Sequence, residues 1–166
     1  MLTRVLVIAV AWIGVAAPAL PREGPASLTG TDAIAARQAS MDMSSVVLRS
    51  MAAAVKTGAE AKTQAYPAAA LAKWAQIVPR MFPLGTGKNE TAGDTQALPA
   101  IWKDRAGFDR VAANYAAAAA ELAVRAKAND RIAFTRQLVV VDQACHSCHE
   151  HYKEGMQSPP LDVSSP

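Results

Sequence analysis

Residues 130–152 read DRIAFTRQLVVVDQACHSCHEHY. Within them Phe134, Leu138, Val141, Cys145, Cys148 and Tyr152 recur at intervals of three and four, which sets all six on one side of a helix. Asn129 or Asp130 is the N-cap, because a short polar side chain there accepts a bond from an otherwise unpaired backbone N–H. Such a helix buries its apolar stripe only against other helices, and the preceding sequence supplies three. Thr31 caps a first helix, with Asp32 in its first turn, on which Ile34, Met41, Leu48 and Val55 repeat every seven residues; Gly58 ends it. A second runs from Pro67 through Leu71, Trp74, Ala75 and Val78 to a stop at Pro79. Pro99 opens a third, in which Ile101, Phe108, Tyr115 and Leu122 repeat every seven, flanked by Arg105, Ala112, Ala119 and Ala126. Large residues alternating with alanine let helices approach closely. The short connection between the third and fourth helices makes them antiparallel. The expected fold is all-α: an antiparallel up-down-up-down four-helix bundle with a motif that carries chemistry near its C-terminus.

That motif is Cys145-His146-Ser147-Cys148-His149, the Cys-x-x-Cys-His signature of covalent haem attachment. Positions i, i+3 and i+4 of a helix share a face. Two sulfurs there reach the two vinyl groups on one porphyrin edge, and the histidine after the second presents an imidazole nitrogen to iron. The alternatives fit less well. A redox dithiol of the thioredoxin kind needs a βαβ setting, and no β pattern is present. A zinc site would draw its other ligands from His146, His149 and His151, crowded within three residues of Cys148, whereas structural zinc takes its second pair from a separate element. A disulfide between these positions of a helix would be strained. One covalent haem c is therefore expected, on Cys145 and Cys148, with His149 as axial ligand.

All three histidines lie in or beside the motif, so none is available for a sixth coordination position. That position is empty, or held by methionine, or filled by something weaker. Met156 is the only methionine after the motif; Met41, Met43, Met51 and Met81 precede it. Of these, Met41 lies on the inward seam of the first helix, where the neighbouring positions Arg37, Gln38, Ser44 and Ser45 are polar or small. Polar positions on a buried side cost stability unless something occupies the space beside them, and a cofactor would do so. Met41 is either a packing side chain or the sixth ligand. Arg37, one turn earlier, is either a solvated rim residue or the charge partner of a haem propionate.

Arg4, the apolar run Val5 to Val15 and Ala17-Pro18-Ala19 form a secretory signal peptide, residues 1–19. Export through it places the mature protein in the periplasm. Residues 20–30 form a linker, 31–154 the domain and 155–166 a disordered tail. Loss of Arg4 with the signal leaves 16 basic and 14 acidic residues of the original 17 and 14, a net charge of +2. That balance, without basic runs interleaved with aromatics, excludes nucleic acid as a partner. Nothing after the signal is apolar enough for a membrane span. Gly85-Thr86-Gly87-Lys88-Asn89 lacks the spacing of a phosphate loop. No catalytic acid–base pair is evident, so the reading is not that of an enzyme.

Arg37-Gln38-Ala39-Ser40-Met41, Leu98-Pro99-Ala100-Ile101-Trp102 with Phe108, and Cys145 to His149 followed by Tyr152 occur in an order that resembles the class II c-type cytochromes, the cytochrome c′ and cytochrome c-556 family. The resemblance spans Thr31 to Lys153. It implies that Met41 lies over the distal haem face and Arg37 near the propionates. It implies one of two functions. Cytochrome c-556-type members transfer electrons to redox partner proteins with methionine as sixth ligand; cytochrome c′-type members keep iron five-coordinate and bind NO or CO. It also implies a homodimer through the first two helices. Lys153 departs from the pattern, since cytochromes c′ usually carry arginine four residues after the axial histidine. Lysine lacks the planar fork, which favours the electron-carrying type.

Overall fold

A computed structural model describes residues 29–90, 93–155 and 158–164. The expected signal peptide, residues 1–19, and most of the expected linker lie outside the described residues. The elements are α1 (Gly30–Lys56), α2 (Ala65–Ala75), a short α3 (Ala100–Lys103), α4 (Arg105–Lys127) and α5 (Arg131–Tyr152), with 3-10 turns at Ala61–Gln64 and Val78–Met81. The four long helices form the expected four-helix bundle.

Helix boundaries follow from local chemistry. The cap of α1 is Thr29, two residues before the expected Thr31. Its Oγ1 accepts from the Asp32 N–H at 3.1 Å, and the Asp32 carboxylate accepts from the Thr29 N–H at 3.0 Å. This reciprocal capping box satisfies two free donors at once. At the other end Gly58 adopts φ +84°, the left-handed conformation glycine takes after a helix terminus. α2 starts two residues before Pro67, which still occupies its first turn, and it ends at Ala75; Pro79 falls in the 3-10 turn beyond. Asp130 caps α5, accepting from the Ala133 N–H at 2.9 Å, while the Asn129 side chain instead accepts from the Lys62 N–H.

The continuous third helix expected from Pro99 is broken. Asp104 leaves helical geometry (φ −117°, ψ 60°) and caps α4, its Oδ1 accepting from the Gly107 N–H at 3.0 Å. Its Oδ2 accepts from the Tyr152 hydroxyl at 3.1 Å. The carboxylate thus ties the start of α4 to the end of α5. The break still leaves Ile101 and Phe108 buried, as the seven-residue repeat requires.

α4 is the central helix and packs along both α2 and α5. Ala68 and Ala75 of α2 and Ala112, Ala119 and Ala126 of α4 are almost fully buried, so the backbones approach closely. Met51, Leu71, Leu122, Phe134, Leu138 and Val141 fill the core between them. Each large side chain among these contributes on the order of 2 kcal/mol of apolar burial. α1 meets α5 far less closely, and the site described below lies in that gap.

Arg37 anchors the loop between the second 3-10 turn and α3. Only 3 % exposed, it donates to Thr86 Oγ1 at 2.7 Å, to the Thr86 carbonyl at 2.5 Å and to Thr95 Oγ1 at 2.6 Å. Its guanidinium also lies over the Phe82 ring, 4.8 Å from the centroid. It is therefore not a solvated rim residue, and most of its fork is engaged with the loop. Residues 158–164, within the segment expected to be a tail, run back against the bundle. Leu161 and Val163 pack against the core, and the Leu161 N–H donates to Asp142 at 2.9 Å. Apolar contact and a charge-assisted bond offset the entropy that composition alone would leave in favour of disorder.

Two substitutions test these constraints. A Cβ on Gly107 would sit 2.0 Å from Asp104 Oδ2 and 2.7 Å from the Tyr152 hydroxyl; Gly107→Ala should lower unfolding free energy by ~2 kcal/mol in a denaturant titration. Arg37→Ala should cost ~3 kcal/mol, because it removes three buried hydrogen bonds, including the one to the Thr86 carbonyl. Unchanged stability in that variant would remove the clasp from the account.

Candidate haem-attachment site

Two cavities, of about 110 and 360 Å³, lie between α1 and α5. Both are bordered by Met41, Ser45, Val78, Cys148, His149 and Ser158, so they form one continuous space. The smaller is mainly apolar, walled by Leu48, Leu71, Tyr115 and Cys145; the larger extends to Arg37, Phe82, Phe108 and Tyr152. The small and polar positions of α1, which left the first helix without a continuous apolar stripe, face this space.

The core stripe of α5 runs directly into the motif. Below it are Phe134, Leu138 and Val141; above them Cys145 and Cys148 are half-buried at the cavity wall, with no disulfide between them. Burial raises the Cys145 thiol to about 12, with the charges of Asp142 and Cys148 adding to the effect. Burial likewise raises Cys148 to about 11. Redox dithiols depend on a depressed thiol pKa, so this environment weighs against that alternative. His149 borders both cavities, and burial lowers its pKa, helped by the nearby charges of Lys153 and His146. The imidazole is therefore neutral at pH 7, the form able to donate a lone pair to a metal.

The other histidines are placed differently. His146 lines the smaller cavity and approaches the Asp142 carboxylate at 3.5 Å. His151 is exposed, with Nδ1 3.3 Å from the Ser147 carbonyl. Among the described residues no group of three metal-ligating side chains assembles in the manner of a zinc site. Of the described methionines, Met41 borders both cavities; Met43 is exposed and Met51 is fully buried in the core. The cavities thus bring Met41 of α1 and His149 of α5 to one space.

An aromatic cluster closes the far end. The Phe82 and Phe108 rings meet edge to face at 5.0 Å, and Phe108 and Tyr152 do so at 5.3 Å. The Trp102 indole N–H donates to the Phe82 carbonyl at 3.2 Å. Lys153, bordering the larger cavity, pairs with Ala97 in an isolated antiparallel bridge. Phe108 and Tyr152 were legible as seam positions. Phe82, Thr86 and Thr95 lie on an irregular loop without periodicity and could not be found from sequence.

The donor set fits a covalent haem: two thiols three residues apart on one helix face, a neutral imidazole beside them, and an apolar space shared with a thioether. Comparison with known proteins agrees. Residues 32–153 match the family model for cytochrome c′. The cytochrome c′ of Rhodopseudomonas palustris is 33 % identical over 125 residues, which cover 74 % of this chain and 82 % of that protein. The crystal structure of cytochrome c′ from Rubrivivax gelatinosus superposes with a TM-score of 0.67 at 29 % identity, covering 75 % of this chain and 97 % of the other. Cytochrome c′ from Shewanella frigidimarina gives a TM-score of 0.68 at 31 % identity, covering 76 % and 98 %. With its motif, its cavity between α1 and α5 and these relatives, the chain belongs to the cytochrome c′ family, whose members bind one covalently attached c-type haem.

Proposed function

We propose that the protein is a periplasmic electron carrier, with haem attached at Cys145 and Cys148, His149 as one axial ligand and Met41 as the other. The observation that carries this reading is the placement of Met41 and His149, from two different helices, on the same continuous cavity. When bound, the haem supplies a one-electron couple at iron. Everything else falls to the chain. Cys145 and Cys148 would hold the edge of the ring, burial favours the neutral form of His149, and Met41 borders the same cavities as His149. Fixed ligands of these kinds limit rearrangement between oxidation states, and histidine with methionine raises the potential. Lys153 is consistent with this choice, because it offers a point charge and not a planar fork beside His149.

Residues 1–19 act as the cleaved export signal in this reading, and redox proteins of that compartment are the partners. No helix among the described residues is long and apolar enough to cross a membrane. No acid–base pair is assigned a role, so the function is not enzymatic. Pairing into a homodimer through α1 and α2 belongs to the same proposal, supported by exposed Met43 and Val46 on α1 and Tyr66 on α2. A monomeric mass by sedimentation at micromolar concentration would remove that part.

A second reading, five-coordinate iron that binds NO or CO, is favoured by one observation. It is the match of residues 32–153 to the cytochrome c′ family model, with Met41 then a packing side chain at the cavity wall. Optical spectra separate the two. The ferric protein is expected to be low-spin, with a methionine–iron charge-transfer band, and Met41→Ala should convert it to high-spin. A wild-type spectrum that is already high-spin, with rapid CO uptake, would transfer the assignment to the second reading.

A further inference from the structure

The family match ends at Lys153, yet the chain continues and returns to the cavity. Ser158 borders both cavities. From there the backbone runs back along the gap between α1 and α5, away from His149. Arg49 of α1 donates to the Pro159 carbonyl at 3.1 Å, the Leu161 N–H donates to Asp142 of α5 at 2.9 Å, and Lys56 of α1 pairs with Asp162 at 2.6 Å. Leu161 and Val163 pack against the core between these anchors. The segment therefore bridges the two helices that wall the cavity.

Asp142 explains why this contact is specific. Its side chain is buried, with the residue only 8 % exposed, and a buried carboxylate is costly unless hydrogen-bonded. Among the described residues its partners include the Leu161 amide, at 2.9 Å, and His146, at 3.5 Å. Loss of the tail would remove the amide, the shorter of these two contacts. Pro159 and Pro160 precede the anchored amide and stiffen the approach, which lowers the entropy lost on docking. The exposed Lys56–Asp162 pair adds little by comparison.

We propose that residues 158–164 form a strap across the α1–α5 gap that restricts entry to the haem cavity where Ser158 borders it, latched by the Leu161 amide on Asp142. The proposal rests on the haem reading given above. A small ligand entering at this gap must wait for the strap to open, as local segments with few buried contacts do.

The test uses haem-loaded, ferrous protein carrying Met41→Ala, so that methionine does not compete for the sixth position. CO uptake is measured with the tail intact, with residues 156–166 removed, and with Leu161→Asp in the complete chain. Leu161→Asp replaces the apolar contact with a carboxylate against the core without shortening the protein, and so stands in if the truncated form folds poorly. Both changes should speed uptake by about tenfold, as expected when a charge-assisted bond no longer has to break first. Hydrogen exchange should show the Leu161 amide protected in the haem-loaded full-length protein. Rates that stay within about threefold of each other, or a Leu161 amide that exchanges like a free peptide, overturn the strap. Protein that emerges without the haem absorption band overturns the haem reading instead.

Discussion

The face of α5 that buries Phe134, Leu138 and Val141 is the same face that carries Cys145 and Cys148. Core and site are thus one stripe of one helix, and neither can rotate without the other. α4 holds this stripe in place through its alanine-lined flank, and α2 backs α4 in turn. Only the fourth side, toward α1, lacks close packing. There, residues such as Ser44 and Ser45 replace the large apolar side chains that would close a bundle, and the cavity follows from that substitution of small for large.

Keeping such a gap open requires rigidity at its ends. At one end Asp104 joins the start of α4 to Tyr152 at the end of α5, and Gly107 supplies the close approach that the bond needs. Arg37 binds the loop carrying Thr86 and Thr95 onto α1, and its guanidinium lies over Phe82, whose ring belongs to the aromatic cluster. The tail meets Asp142 on the opposite side of the motif. A buried arginine and a buried carboxylate, each bonded to a segment outside its own helix, bracket the cavity between α1 and α5. Such groups are costly when stranded, so each enforces the arrangement that pairs it.

Much of this arrangement was legible beforehand. Seven-residue repeats marked α1 and α4, and spacings of three and four marked α2 and α5, because such signals depend on fixed local spacing; the five-residue motif on which the attachment proposal rests is equally local. For Met41 the structure supplies its place alone: it borders both cavities together with His149. What escaped were pairings across long separations. Nothing local marks Thr86 and Thr95 as partners of Arg37, 49 and 58 residues away. The break at Asp104 was hidden because Ile101 and Phe108 keep their repeat across it. The tail read as featureless because its proline- and serine-rich composition hides two apolar contacts and a single amide bond to Asp142.

The intact mass of the mature protein, produced in a periplasm competent for haem attachment, tests the central claim most directly. The account predicts the polypeptide plus one haem, with neither Cys145 nor Cys148 available to a thiol reagent after unfolding. Bare polypeptide with two reactive thiols, recovered from such a periplasm, would contradict it.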